Sequence, residues 1–155
     1  MNAQDKSLRT AAGFITAATL INLGGFYYAS FEHIGEPAWS SHAQFHHVLG
    51  EVWLTGLSVA ALTLAWGPMQ RGERMSFWLL LSNFTFAHVG FFVAQLIVPA
   101  GRPPILWHHL ALAGVALVYA TGLFLAWRRI TQRAGEPDFG RGANQEFQPA
   151  EAPQQ

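Results

Sequence analysis

Four long apolar runs, broken only by turn-forming residues, constrain this chain more than anything else in it. They cover roughly Ala11 to Phe31, His42 to Trp66, Met75 to Val98 and Ile105 to Trp127. Each is long enough to cross the ~30 Å of a bilayer's hydrocarbon, which takes about 20 helical residues. The breaks are Gly35-Glu36-Pro37, Gly67-Pro68 and Pro99-Ala100-Gly101-Arg102-Pro103-Pro104, where glycine and proline punctuate the chain. Charged residues make up only 12% of the 155 positions, about half of what a soluble domain carries. Backbone polar groups in lipid must be satisfied internally, and short apolar spans do this as helices. The expected fold is therefore an all-α membrane protein, a four-transmembrane-helix antiparallel bundle over residues 1–132. The remaining residues, 133–155, read as a disordered cytoplasmic tail, being rich in Gln, Pro, Gly, Glu and Ala.

The basic residues set the expected orientation. Lys6 and Arg9 precede the first run, Arg71 and Arg74 lie between the second and third, and Arg128, Arg129, Arg133 and Arg141 follow the fourth. All fall on one side of such a hairpin pair, and Arg102 alone falls on the other. The positive-inside rule then puts both termini in the cytoplasm, for a bacterial inner-membrane location. Trp39, Trp66, Trp78, Trp107 and Trp127 fall near the ends of the runs, where an interfacial aromatic belt sits. The first run is longer than the apolar core of a signal peptide, and Phe26-Tyr27-Tyr28 is a poor cleavage context, so it reads as a retained anchor. The scattered arginines form no patch for a nucleic acid. Cysteine is absent, which excludes disulfides and thiolate metal sites.

Against that apolar background stand seven histidines and one mid-run glutamate. Ionisable groups inside a bilayer are costly and mark functional sites by default. The densest stretch is Trp39-Ser40-Ser41-His42-Ala43-Gln44-Phe45-His46-His47, followed one turn later by Glu51. His42 and His46 share one helical face; His47 and Glu51 share another, about 100° round, which Thr55 and Ser58 extend into a polar stripe. In the third run Ser82, Thr85, His88 and Gln95 fall roughly on one side, and in the fourth His108 shares a face with Tyr119. Lipid favours turning such stripes inward. The expected result is a polar pocket in the outer half of the bundle, with Glu51 and His88 as proton-transfer residues. A bound metal is the other expectation there, with His46, His47, Glu51, His88 and His108 as ligands, since imidazole and carboxylate suit zinc, iron or copper. His42 reads as a solvated interfacial residue. His33, with Glu32 and Glu36, reads as part of an acidic, solvated outer loop.

The string Trp39-x-x-His42-Ala43-x-Phe45-His46 resembles a signature of small four-helix membrane proteins of unknown function; the resemblance implies that fold and no reaction. More loosely, His47 and Glu51, one turn apart on the second helix, are similar to a pair in the emopamil-binding-protein superfamily of sterol isomerases and related receptors. In those isomerases an acidic residue on the next helix completes the site, whereas this chain carries His88 in that helix.

Three classes of function follow. One is an integral membrane enzyme acting by proton transfer or a bound metal on a lipophilic small molecule. The second is a haem protein with axial histidines from two helices, haem b being the cofactor. The third is a metal-handling protein or a non-catalytic subunit of a larger membrane complex; self-association as a homo-oligomer is compatible with any of them. No phosphate-binding glycine loop, nucleophile elbow or His-Glu-x-x-His motif is present.

Overall fold

A computed structural model describes residues 3–35, 37–97 and 106–135, and those residues are helical apart from short turns. Helix α1 spans Ala3–His33. Helix α2 spans Ser41–Trp66 and starts at Ser40, whose side chain accepts a hydrogen bond from the Ala43 amide at 3.2 Å. That bond satisfies one of the amides left free at a helix start. Pro68, which has no N–H to offer, ends α2 and opens a 3₁₀ turn over Pro68–Arg71. Gly72, at φ 78°, closes that turn in a left-handed conformation, which costs glycine little. The chain then reverses into α3, Arg74–Phe84. A single π-helical turn, Thr85–Val89, joins α3 to α4, Gly90–Ile97. The last helix, α5, spans Leu106–Gly135. The helices thus cover the described parts of the apolar runs, with α1 starting eight residues before its run and α5 ending eight residues after its own. Of the tail expected over 133–155, residues 136–155 lie outside the described part.

Among the described residues, three helical segments are long and apolar enough to cross a membrane: Ser41–Arg71, Arg74–Ala94 and Leu106–Gln132. Helix α1 is as long as the longest of them, at 31 residues or about 46 Å, but less apolar. Asn22, Thr16, Thr19 and three glycines dilute its leucines and isoleucines.

Helix α1 packs most extensively against α5 and next against α2; α3 packs more lightly against α2 and α5; and the main contacts of α4 are with the π turn before it. Side-chain bonds at both ends show that α1 and α2 are antiparallel along most of their length. At the end that carries the N-terminus, Gln70 donates to the Leu8 carbonyl at 3.2 Å and to the Ala65 carbonyl at 2.7 Å, and Trp66 Nε1 donates to Thr16 Oγ1 at 2.9 Å. At the other, distal end, Ser30 meets His47.

The buried apolar core lies towards the N-terminal end of α1. It comprises Leu8, Ala11, Ala12, Ile15 and Ala18 of α1, Ala61 and Ala65 of α2, then Met69, Phe77 and Leu80, and Tyr119, Leu123, Ala126 and Ile130 of α5. Alanines dominate α1 and α2 here because the helices approach closely. Gly122 marks the tightest point, where an added Cβ would meet Ile15 Cγ1 at 2.8 Å and the Ala11 carbonyl oxygen at 2.9 Å. Distal to Tyr119 the buried side chains are polar: Ser30, Glu51 and His88. Large apolar residues such as Phe31, Trp53, Phe86, Leu96 and Leu117 are exposed along the helices, as a lipid-facing surface requires.

Candidate functional site

The stripe on α2 faces α1. Ser30 donates its hydroxyl to the Phe26 carbonyl at 3.0 Å, so its oxygen accepts from Nε2–H of His47 at 2.6 Å. The His47 ring stacks on Phe26, with centroids 5.3 Å apart and planes 13° apart, and meets Trp39 edge-on at 5.6 Å. Two turns along, Thr55 donates to the Glu51 carbonyl at 2.8 Å, and Tyr27 donates its hydroxyl to Thr55 at 2.8 Å. Glu51 sits between these two bonded levels. It is buried, and its Oε1 has no hydrogen-bond partner among the described residues.

His88 occupies the π turn, 1% exposed. Its ring stacks on Phe84, with centroids 5.2 Å apart and planes 23° apart, and packs against Tyr119 at 5.2 Å. Neither imidazole nitrogen makes a well-aligned hydrogen bond; the Phe84 carbonyl, one turn back, acts on the ring electrostatically. The π turn explains how the ring gets inside. Asn83 is buried on the inward face of α3, and a π turn closes i to i+5 rather than i+4, which carries His88 round to the side where Asn83 lies.

Asn83 fixes the register of α3 against its neighbours. Its Nδ2 donates to the Leu57 carbonyl of α2 at 2.7 Å, and its Oδ1 accepts from the Tyr119 hydroxyl of α5 at 3.4 Å. From that level Glu51 lies six residues, or ~9 Å, further along α2, and His88 lies five residues, or ~7.5 Å, further along α3, in the same distal direction. The two groups are therefore at nearly one depth.

The other expected ligands lie elsewhere. His46 is exposed, with its Nε2 3.1 Å from that of His42. His108 is exposed near the start of α5, eleven residues from buried Tyr119, so the face it shares with Tyr119 does not carry it inside. Its neighbour His109 is half-buried and lies edge-on to Phe91 at 6.3 Å. Among the described residues no three His, Asp or Glu side chains are placed to hold one metal ion. The metal centre expected from His46, His47, Glu51, His88 and His108 thus finds no assembled ligand set here. The third-run stripe also differs: Ser82 and Thr85 are exposed, Thr85 bonding back to the Leu81 carbonyl, and the inward polar residues are Ser76, Asn83 and His88. The side chains of His33 and Gln95 lie outside the described set.

Sequence reasoning passed over Tyr27, Ser30 and Asn83. The first two are three residues apart in an apolar helix, a spacing that puts them on one face. That spacing was the available signal. For Asn83 there was none beyond its amide in an apolar run. Comparison of the chain with protein-family models, with curated proteins and with solved structures finds no significant match.

Proposed function

We propose that this is an integral membrane enzyme of four antiparallel spanning helices, with both termini cytoplasmic, in which Glu51 and His88 shuttle a proton on a lipophilic small molecule. One observation carries the reading: two ionisable side chains, buried at one depth, keep polar atoms that make no well-aligned hydrogen bond among the described residues. A buried unsatisfied group costs about 1–3 kcal/mol, and a whole fold is stable by only about 5–15 kcal/mol. Those unmade bonds cost the fold stability, so a role outside stability accounts for them best. Among the described residues, the buried side chains distal to Tyr119 are polar, which supports a polar, substrate-accessible outer half.

The chemistry suited to such a pair is isomerisation by two proton transfers. One group, as an acid, delivers a proton to an unsaturated carbon. The other, as a base, removes a proton from a carbon allylic to it. The substrate keeps its composition, its double bond shifts, and the enzyme is left with the proton on the opposite member of the pair. Proton exchange with the aqueous face restores the starting state. His47 is held by Ser30, Phe26 and Trp39 and acts as a wall of the site.

The test needs no known substrate. Purified protein in nanodiscs is incubated with a lipid extract in D2O, and the lipids are analysed by mass spectrometry. Isomerisation leaves deuterium on carbon, where washing in H2O does not remove it. The expected outcome is label in one lipid class with the native protein, and loss of that label with Glu51→Gln and with His88→Gln in folded protein. Label no greater than in empty nanodiscs, or undiminished label in both variants, overturns the reading.

A further inference from the structure

His42 and His46 stand apart from the buried pair and invite a different chemistry. They lie one turn apart at the start of α2, and both are exposed. Their Nε2 atoms approach to 3.1 Å, with ring centroids 4.5 Å apart and planes at 85°. Imidazole binds zinc and copper through such a nitrogen at about 2.0–2.1 Å. Two nitrogens at that distance from one ion are about 2.9 Å apart when they subtend a right angle and about 3.3 Å apart when they subtend a tetrahedral angle. The observed separation falls between the two. The helix supplies the preorganisation, since residues four apart project from the same face.

His47 does not belong to this pair. Its Nε2 is bonded to Ser30 and its ring lies in the seam with α1. Phe45 flanks His46 edge-on at 5.5 Å and narrows the room its ring has to swing. We infer that His42 and His46 form a two-histidine chelate, open on its solvent side, for a first-row divalent cation of the zinc and copper type. Water completes the coordination, because no third His, Asp or Glu among the described residues reaches the ion. The positive end of the α2 dipole opposes a cation here, and solvent screens that opposition at exposed rings. The alternative for two facing imidazoles is a hydrogen bond from one Nε2–H to the other nitrogen. Metal displaces that proton, so titration separates the two.

The experiment is isothermal titration of the full chain in detergent, purified without a histidine tag, with Zn2+ and separately with Cu2+. One ion per chain is expected, with micromolar affinity. His42→Ala and His46→Ala should each weaken it at least tenfold, and His108→Ala should leave it unchanged. All three positions are exposed, and circular dichroism confirms that the variants keep their helices. No saturable binding below millimolar metal overturns the inference, as does binding by His42→Ala equal to the native protein, or weakening by His108→Ala as large as by His46→Ala. None of these results depends on Glu51, on His88 or on a catalysed reaction.

Discussion

At the scale of single residues, Glu51 and His88 were visible in the sequence because lipid makes an ionisable side chain conspicuous. Their environments differ. His88 is stacked between Phe84 and Tyr119 with no aligned hydrogen bond, so an apolar ring suits the space better than imidazole does. His88→Phe should keep the shape, remove a desolvation cost of about 1–3 kcal/mol and raise the melting temperature in detergent while abolishing proton transfer. A fall in melting temperature instead would show that the imidazole supports the fold. Asn83 has the opposite character, since its short bond to the Leu57 carbonyl joins α3 to α2. Asn83→Ala should cost about 1–2 kcal/mol, the lost bond plus a small cavity. Tyr119→Phe should cost less than about 0.5 kcal/mol, because its bond is already long at 3.4 Å. Thermal melts of the two variants side by side check both values. Regular helical spacing groups His88 with Ser82 and Thr85, which are exposed, and so gives no sign that Asn83 faces inward.

At the scale of elements, the apolar runs announced the helices but not the break in helical period at Thr85–Val89. A π turn inserts one residue without changing composition, so hydropathy cannot register it. The turn takes up one extra residue, so the faces beyond it keep their direction only while the turn and that residue go together. Removing Phe86, which is 73% exposed, should convert the turn to regular α-helix, in which the histidine follows Asn83 by four residues instead of five and keeps the inward face. The chain should still insert, since the span loses only ~1.5 Å of length, and proton transfer should persist. Deuterium labelling and circular dichroism together read this outcome, and loss of labelling in a folded, shortened chain would mean that the π geometry itself positions the imidazole. The contact of α1 with α5 was legible only as a wealth of small residues, of which Gly122 proves decisive. Gly122→Ala places a methyl against Ile15 and the Ala11 carbonyl, and overpacking of this kind typically costs about 1–3 kcal/mol. A melting temperature equal to that of the native protein would show that α1 can shift freely away from α5.

At the scale of the whole molecule, the order of the packing reflects a division of labour along the helices. The alanine-rich half near the N-terminus holds the helices together, and the distal half carries Ser30, Glu51 and His88 in place of buried apolar side chains. Composition alone foretold a helical membrane protein. It did not reveal this polarity, because both halves of every run are similarly apolar and only contact partners separate them. The standing of α1 is the point on which topology turns. By apolar length alone three segments span and α1 does not qualify. Its contacts argue otherwise: it touches Gln70 at one end of the Ser41–Arg71 span and His47 towards the other. Two antiparallel helices bonded at both ends cover the same depth, so if α2 crosses the bilayer, α1 crosses with it. The chain has no cysteine, so single cysteines can report this cleanly. Ser7 lies near the start of α1, and Ser41, the first residue of α2, lies on the side where α1 ends, so Ser7→Cys and Ser41→Cys report the two sides. In intact bacteria a membrane-impermeant maleimide should label the second and spare the first until the membrane is permeabilised. Equal labelling of both from outside would return α1 to one side of the membrane, leaving three spans and a chain whose termini face opposite compartments.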